Sequence, residues 1–183
     1  MKPLQENSIL IAEPFLKDKD FMRTVVYLCK HTKEGSVGFV LNRLHSKTLD
    51  QIIADFIGFP LQVYIGGPVE KDTIHFIHQY PTLIPGSYQL DHNICWGGDF
   101  DILKELIKNK QIDCTKLKFF IGYSGWSAGQ LEDEMNEKSW LISSANSKIV
   151  FDTNANMVWK ESVKQLGEGY EQIIHYPIDP QLN

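Results

Sequence analysis

The chain has 183 residues, of which 43% are apolar and 22% charged, with a net charge of −5. That length fits one domain over 1–183, or two small intertwined ones sharing a core, and it can bury about 70% of its unfolded surface without a metal or disulfide staple. These values argue against a disordered, collagenous or coiled-coil chain, and the negative charge argues against a general affinity for nucleic acid or anionic lipid. Cys29, Cys95 and Cys114 are an odd set with no tight pairing pattern, which suggests reduced thiols and a reducing compartment. The start, MKPLQEN, turns polar at once and lacks the apolar core of a secretion signal. No run approaches the roughly 18 apolar residues of a membrane span. A soluble cytoplasmic protein with no membrane partner is the plain expectation.

Residues 8–13 read as a strand ended by Pro14. Residues 24–30 are β-branched and apolar, and 36–42 follow after a short turn ending in Gly35, so the two predict a hairpin. Their apolarity is continuous rather than alternating, which predicts cover on both faces. Thr48 and Gln51 form a capping-box pattern, and Leu49, Ile52, Ile53, Phe56 and Ile57 fall on one helical stripe stopped by Gly58 and Pro60. Residues 61–65 predict a strand running into Gly66-Gly67-Pro68; 73–78 look extended and 79–93 loop-like.

Asp99 is placed to cap a helix that buries Ile102, Leu103, Leu106 and Ile107. Residues 117–123 predict a strand. Ser127 and Gln130 repeat the capping-box pattern before a helix with Leu131 and Met135 facing inward. Residues 140–143 look extended, and Trp159, Val163 and Leu166 give a last helix closed by Gly167. Pro177 and Pro180 keep the tail from residue 170 from being a long helix. Without strict βαβ alternation, the pattern predicts an α+β fold with a mixed or mostly antiparallel sheet and packed helices.

Several groups of residues carry possible chemistry. GWSAG at 125–129 fits the G-x-S-x-G nucleophile elbow and sits between a predicted strand and helix. A serine hydrolase would use Ser127 with Asp152 and His175 as acid and base; the competing reading makes Ser127 a helix cap. His75, His78, His92 and Cys95 approach a zinc spacing, but the odd separation of the first two sends them to opposite strand faces. Metal is therefore not expected, and no pattern calls for a cofactor. Glu132, Asp133, Glu134 and Glu137 read as a solvated acidic first turn. Gly66 and Gly67 allow close backbone approach, to another segment or to an anion. Arg23, His31, Asn42 and Arg43 lie at or near hairpin ends and suit anion recognition or local ion pairing. Lys104, Lys108, Lys110, Lys116 and Lys118 form the best basic patch, broken by Glu105 and Asp113, so nucleic acid is a possible but not favoured partner.

Four stretches together carry a family resemblance: ILIAEPFLKDKDFMRTVVYLCKHTKEGSVGFVLNR (9–43), GGPV (66–69), GYSGWSAGQLEDE (122–134) with Trp140, and the late Trp159 and Leu166-Gly167. The chain resembles the AlgH/YqgE family of uncharacterised bacterial cytoplasmic proteins over roughly residues 4–167. The resemblance implies an α+β fold pairing a distorted ferredoxin-like unit with a β-barrel-like part. It also implies a proposed role in transcriptional regulation and no established catalytic residues. The family motif reads GW-x-AGQLE, often with Gly where this chain has Ser127, which sits poorly with an essential nucleophile.

The reading that follows is a non-enzymatic binding or regulatory protein with a protein or small-ligand partner. Its expected surface joins Arg23, His31, Asn42 and Arg43 to the Gly125, Trp126, Gly129 and Gln130 turn, with Gly66, Gly67 and Pro68 alongside. A serine hydrolase and a direct DNA-binding protein are the alternatives.

Overall fold

The computed structural model describes residues 3–176, so Pro177 and Pro180 lie outside the described residues. Ten strands form one sheet: β1 (Ser8–Ala12), β2 (Val25–Thr32), β3 (Gly35–Val40), β4 (Leu44–Thr48), β5 (Gln62–Ile65), β6 (Val69–His78), β7 (Tyr88–Asp91), β8 (Ile94–Trp96), β9 (Leu117–Ser127) and β10 (Trp140–Ser144). Helices α1 (Phe100–Lys108), α2 (Gln130–Asn136) and α3 (Ala155–Lys164) pack on it. The strand order is β10-β1-β2-β3-β9-β6-β8-β7, with β5 beside β9 and β4 beside β5. All these pairings are antiparallel except β5 with β9. The α+β class with a mostly antiparallel sheet is what the sequence predicts.

β1 and β2 are buried on both faces, as their unbroken apolarity predicts. Period-two alternation divides their side chains between two cores. Ile9, Ile11, Val25 and Tyr27 join Val158, Trp159 and Val163 of α3. Leu10, Ala12, Val26 and Leu28 join Trp126, Leu131, Trp140 and Ile142. A third core gathers Leu49, Phe56, Phe76 and Phe119 under Leu103 and Ile107 of α1.

β9 serves both halves of the sheet. Residues 119–121 pair with β5 and 117–121 largely with β6, whereas 124–127 pair with β3. Gly122, at φ 64, sits at the change of partner, a backbone angle that favours glycine.

The stretch β10-β1-β2-β3-β9 curls strongly. Trp126 aligns through Ser36 with His31 near the end of β2, and Trp140 aligns with Ala12, whose N–H bonds Thr24 just before β2 begins. They are diagonal corners of five strands. On a flat sheet they would stand more than about 19 Å apart. Their ring centres are 6.1 Å apart.

Some local expectations need correction. The stripe from Leu49 to Ile57 is two 3-10 turns, Leu49–Gln51 and Ala54–Phe56, with Ile53 extended between them at φ −121 and ψ 114. Ile52, Ile53 and Ile57 are β-branched, which lowers helix propensity, and Gly58 and Pro60 follow at once. The capping contact still forms, with the Thr48 N–H donating to Gln51 Oε1 at 3.1 Å. β4, β7 and β8 occupy stretches whose polar or short sequences gave no strand signal.

Ser127 is not a helix cap. β9 holds it opposite Gly35, and Gly129, at φ 77, is the residue from which α2 starts. Asp99 caps α1 as predicted, accepting the Ile102 N–H at 3.0 Å.

Candidate functional site

The GWSAGQLEDE segment builds a polar relay around Glu134. The Glu134 Oε2 atom accepts the indole N–H of Trp126 at 2.9 Å and of Trp140 at 2.8 Å. Its Oε1 accepts the Gln130 amide at 3.0 Å. Gln130 Oε1 in turn accepts both the N–H and the Oγ–H of Ser127, each at 3.1 Å. Phe21 closes the cluster, stacked on Trp126 and edge-on to Trp140. Of the predicted acidic set, Glu132, Asp133 and Glu137 are exposed, while Glu134 faces inward.

Two concavities meet at Gly125 and Trp126. One, about 400 Å³, is walled by Lys30, Thr32, Ser36, Val69 and Tyr123. The other, about 360 Å³, is walled by Phe21, Pro68, Gln130, Glu134 and Trp140. Trp126 is 5% exposed, so it forms the floor rather than a projecting platform. Gly125 lies in β9 opposite Val37, and its missing side chain leaves the passage open. A Cβ there would come 3.1 Å from the Tyr123 ring. His31 stands near this cleft, 2.8 Å from Ser36 Oγ and 3.8 Å from Glu132 Oε1.

The other hairpin-end residues lie elsewhere. Arg23 and Asn42 are at the open end of β2 and β3, whereas His31 is at the turn end. The expected single edge is therefore split in two. Asn42 continues the strand ladder with its side chain, accepting the Val25 N–H at 3.0 Å and donating to the Arg23 carbonyl at 2.9 Å. Arg23 lies 4.2 Å above Trp159 and donates to the Tyr176 carbonyl at 2.8 Å. Burial draws its pKa down, against the charge of Glu13. Arg43 donates to the Lys19 carbonyl at 2.6 Å and so straps the loop after β1. Gly66 and Gly67 are buried at the crossing of three strands. The Gly66 N–H donates to Ile121, and its carbonyl accepts from Val40 and Ser124.

Residues 9–171 match the AlgH-like family profile. The chain belongs to the AlgH-like family. It is 41% identical to a UPF0301 protein of Parabacteroides distasonis, covering 99% of this chain and 92% of that one. It is 37% identical to a UPF0301 protein of Cytophaga hutchinsonii, covering 98% and 100%. Among solved structures, the AlgH protein of Pseudomonas aeruginosa superposes with a TM-score of 0.74 at 26% identity, over 97% of this chain and 98% of that one. A crystallised protein of Corynebacterium diphtheriae shares the fold at a TM-score of 0.81 and 18% identity, over 96% and 94%.

In this AlgH-like chain the hydrolase residues are far apart. Ser127 ends β9, while Asp152 lies near Lys118 at the opposite end of that strand. His175 ends an exposed 3-10 turn, Glu171–His175, next to α3. The histidine and cysteine candidates also disperse. His78 faces Cys95 across β6 and β8, but its Nδ1 accepts the Tyr80 N–H at 3.1 Å and its Nε2 lies 3.0 Å from the Gly97 carbonyl. Burial lowers its pKa and favours this neutral tautomer. His75 packs between Phe39 and Tyr123, and His92 is exposed in a turn. Among the described residues no three His, Cys, Asp or Glu side chains form a metal-holding group.

The lysine cluster does not form one patch. Lys104 is paired with Asp55 at 3.2 Å and Asp101 at 2.9 Å. Lys118 is 4% exposed. No helix among the described residues is long and apolar enough to cross a membrane. Lys118 and Glu134 are the residues whose roles sequence reasoning missed. The signal for Lys118 was a lysine inside an apolar strand, LKFFIGY; for Glu134 it was its position between two tryptophans.

Proposed function

We propose that this chain is a cytoplasmic binding protein that takes a partner in the cleft astride Gly125 and Trp126. Any regulatory part, in transcription included, is exercised through that partner rather than by direct contact with DNA. The observation that carries this reading is the pair of concavities meeting at one glycine, with a floor held rigid by the Glu134 relay. Sites of this kind combine an apolar floor with a few placed polar groups, here Lys30, Ser36 and Gln130. The relay saturates Ser127 with a neutral amide and sets no base beside it, which favours recognition over acyl transfer. Three unpaired cysteines suit a reducing compartment.

The test is a native pull-down with the wild-type chain and with a Lys30→Glu, Tyr123→Ala variant, followed by titration of the captured partner into the isotopically labelled wild type. The expected result is a partner retained only by the wild type, whose addition shifts the Gly125 amide and the Trp126 indole resonances. Equal retention by both chains overturns the assignment of the cleft. A duplex-DNA mobility shift at about 50 mM salt, where phosphate contacts are strongest, overturns the indirect role.

A further inference from the structure

Lys118 lies on β9 between Leu117 and Phe119, at the end of the strand remote from the cleft. It is 4% exposed, and its Nζ has no hydrogen-bond partner among the described residues. The Nζ stands 4.3 Å from the centre of the Tyr64 ring. Lys118 lines a cavity of about 220 Å³ together with Gln62, Tyr64, Cys114, Thr115 and Phe151.

A charged ammonium is costly in such surroundings. The opposing charge is Asp152, at the end of the π-helical turn Lys148–Asp152, which favours the proton. Burial outweighs it and brings the Lys118 pKa down to about 7. The other titratable groups on the cavity wall are Tyr64 of β5 and Cys114 of the 3-10 turn Cys114–Lys116. Burial pushes both up, so both are neutral at pH 7. Near neutral pH a large share of the amine therefore carries its lone pair, and it faces a cavity of mixed polar and apolar wall with no hydrogen-bond partner among the described residues. That is the environment in which lysines act as carbonyl nucleophiles. The cavity holds several times the ~30 Å³ of a water molecule but less than the ~300 Å³ of the smallest drug-sized sites. It suits a ligand of a few heavy atoms.

We propose that Lys118 is a covalent binding site that captures a small carbonyl compound, an aldehyde or ketone of a few carbons, as an imine. The Nζ lone pair bonds to the carbonyl carbon and the C=O π pair moves to oxygen. The oxygen then leaves as water with the two amine protons as the C=N bond forms. Nothing is oxidised or reduced, and the step reverses by hydrolysis. This site is independent of the cleft at Gly125 and Trp126, so either reading can fail alone.

The test uses the wild-type chain at pH 7.5 with butanal and sodium cyanoborohydride, which traps imines as stable secondary amines. Peptide mapping over a time course gives the alkylation rate at each lysine. Lys118 is expected to react at least about tenfold faster than any other lysine, because an ordinary lysine near 10.4 is only about 0.1% neutral at that pH. A smaller ratio overturns the proposal. In urea the preference must disappear; a preference that survives unfolding also overturns it, because the cavity would then not be its cause.

Discussion

Trp126 and Trp140 meet edge to face at 6.1 Å, and both indole N–H groups end on one oxygen of Glu134. The two rings come from diagonal corners of the curled five-strand stretch, so α2 acts as the clasp that holds the curl shut. Gln130 and Ser127 extend the clasp back into β9. The floor of the cleft is therefore set by the same hydrogen bonds that close the sheet.

Replacing Glu134 with Ala leaves two nearly buried indole N–H groups without acceptors. Each such loss costs about 1–3 kcal/mol. The expected destabilisation of Glu134→Ala is about 3 kcal/mol, a fall in Tm of roughly 10 °C for a chain of this size. Glu134→Gln keeps one acceptor oxygen and should lose less. Thermal unfolding followed by tryptophan fluorescence checks this, and a fall under about 2 °C for the alanine variant would show that the clasp is not structural.

Ser127 donates its hydroxyl to a side-chain amide and is exposed, while its backbone N–H holds the same Gln130 oxygen. Removing only the hydroxyl keeps the backbone bond. Ser127→Ala should therefore change stability by less than about 1 kcal/mol. The wild type should resist a fluorophosphonate probe, since no base activates the hydroxyl. Stoichiometric labelling, read by intact mass, would reverse that conclusion.

Gly66 is a second structural constraint. A Cβ there would overlap the Gly122 carbonyl oxygen and lie 2.9 Å from Phe39 Cδ1. Backbone cannot yield as a side chain does, so Gly66→Ala should cost roughly 3 kcal/mol or more. Gly58 has no atom within 4 Å of its hypothetical Cβ, only a φ of 89. Gly58→Ala should cost about 1–2 kcal/mol from backbone strain alone. Chemical denaturation of the two variants side by side separates overlap from strain; equal costs would refute the overlap.

Much of this was legible in the sequence, and the exceptions have physical causes. β1, β2 and β3 are visible as largely apolar runs, β-branched at the start of β2, and Asp99 marks the start of α1. The Leu49–Ile57 stripe misleads because its spacing is helical while its three β-branched isoleucines disfavour a helix. β7 is polar and β8 is only three residues long, so local pattern does not show the partners that order them. At the site, Gly125, Trp126 and Gln130 were found because the motif is dense in unusual residues. Arg23, Asn42 and Arg43 share with them only a hairpin-end position, and nothing local reveals which end of a hairpin faces which neighbour.

Lys118 makes stability depend on pH in a direction opposite to that of a paired lysine. Burial holds its folded pKa down to about 7, against 10.5 for an ordinary lysine. Between those values the unfolded chain binds more protons than the folded one, so this group makes stability rise with pH across that window. Below pH 7 its penalty is felt in full. Lys118→Met fills the same volume with no charge to desolvate. The variant should be more stable than the wild type by up to roughly 4 kcal/mol at pH 6, with the gap closing toward pH 10. Urea unfolding of both chains from pH 6 to pH 10 gives the difference directly. A gap that stays constant with pH would mean that the amine is charged in the folded protein, and a variant less stable than the wild type at pH 6 would mean that the ammonium is favourably held.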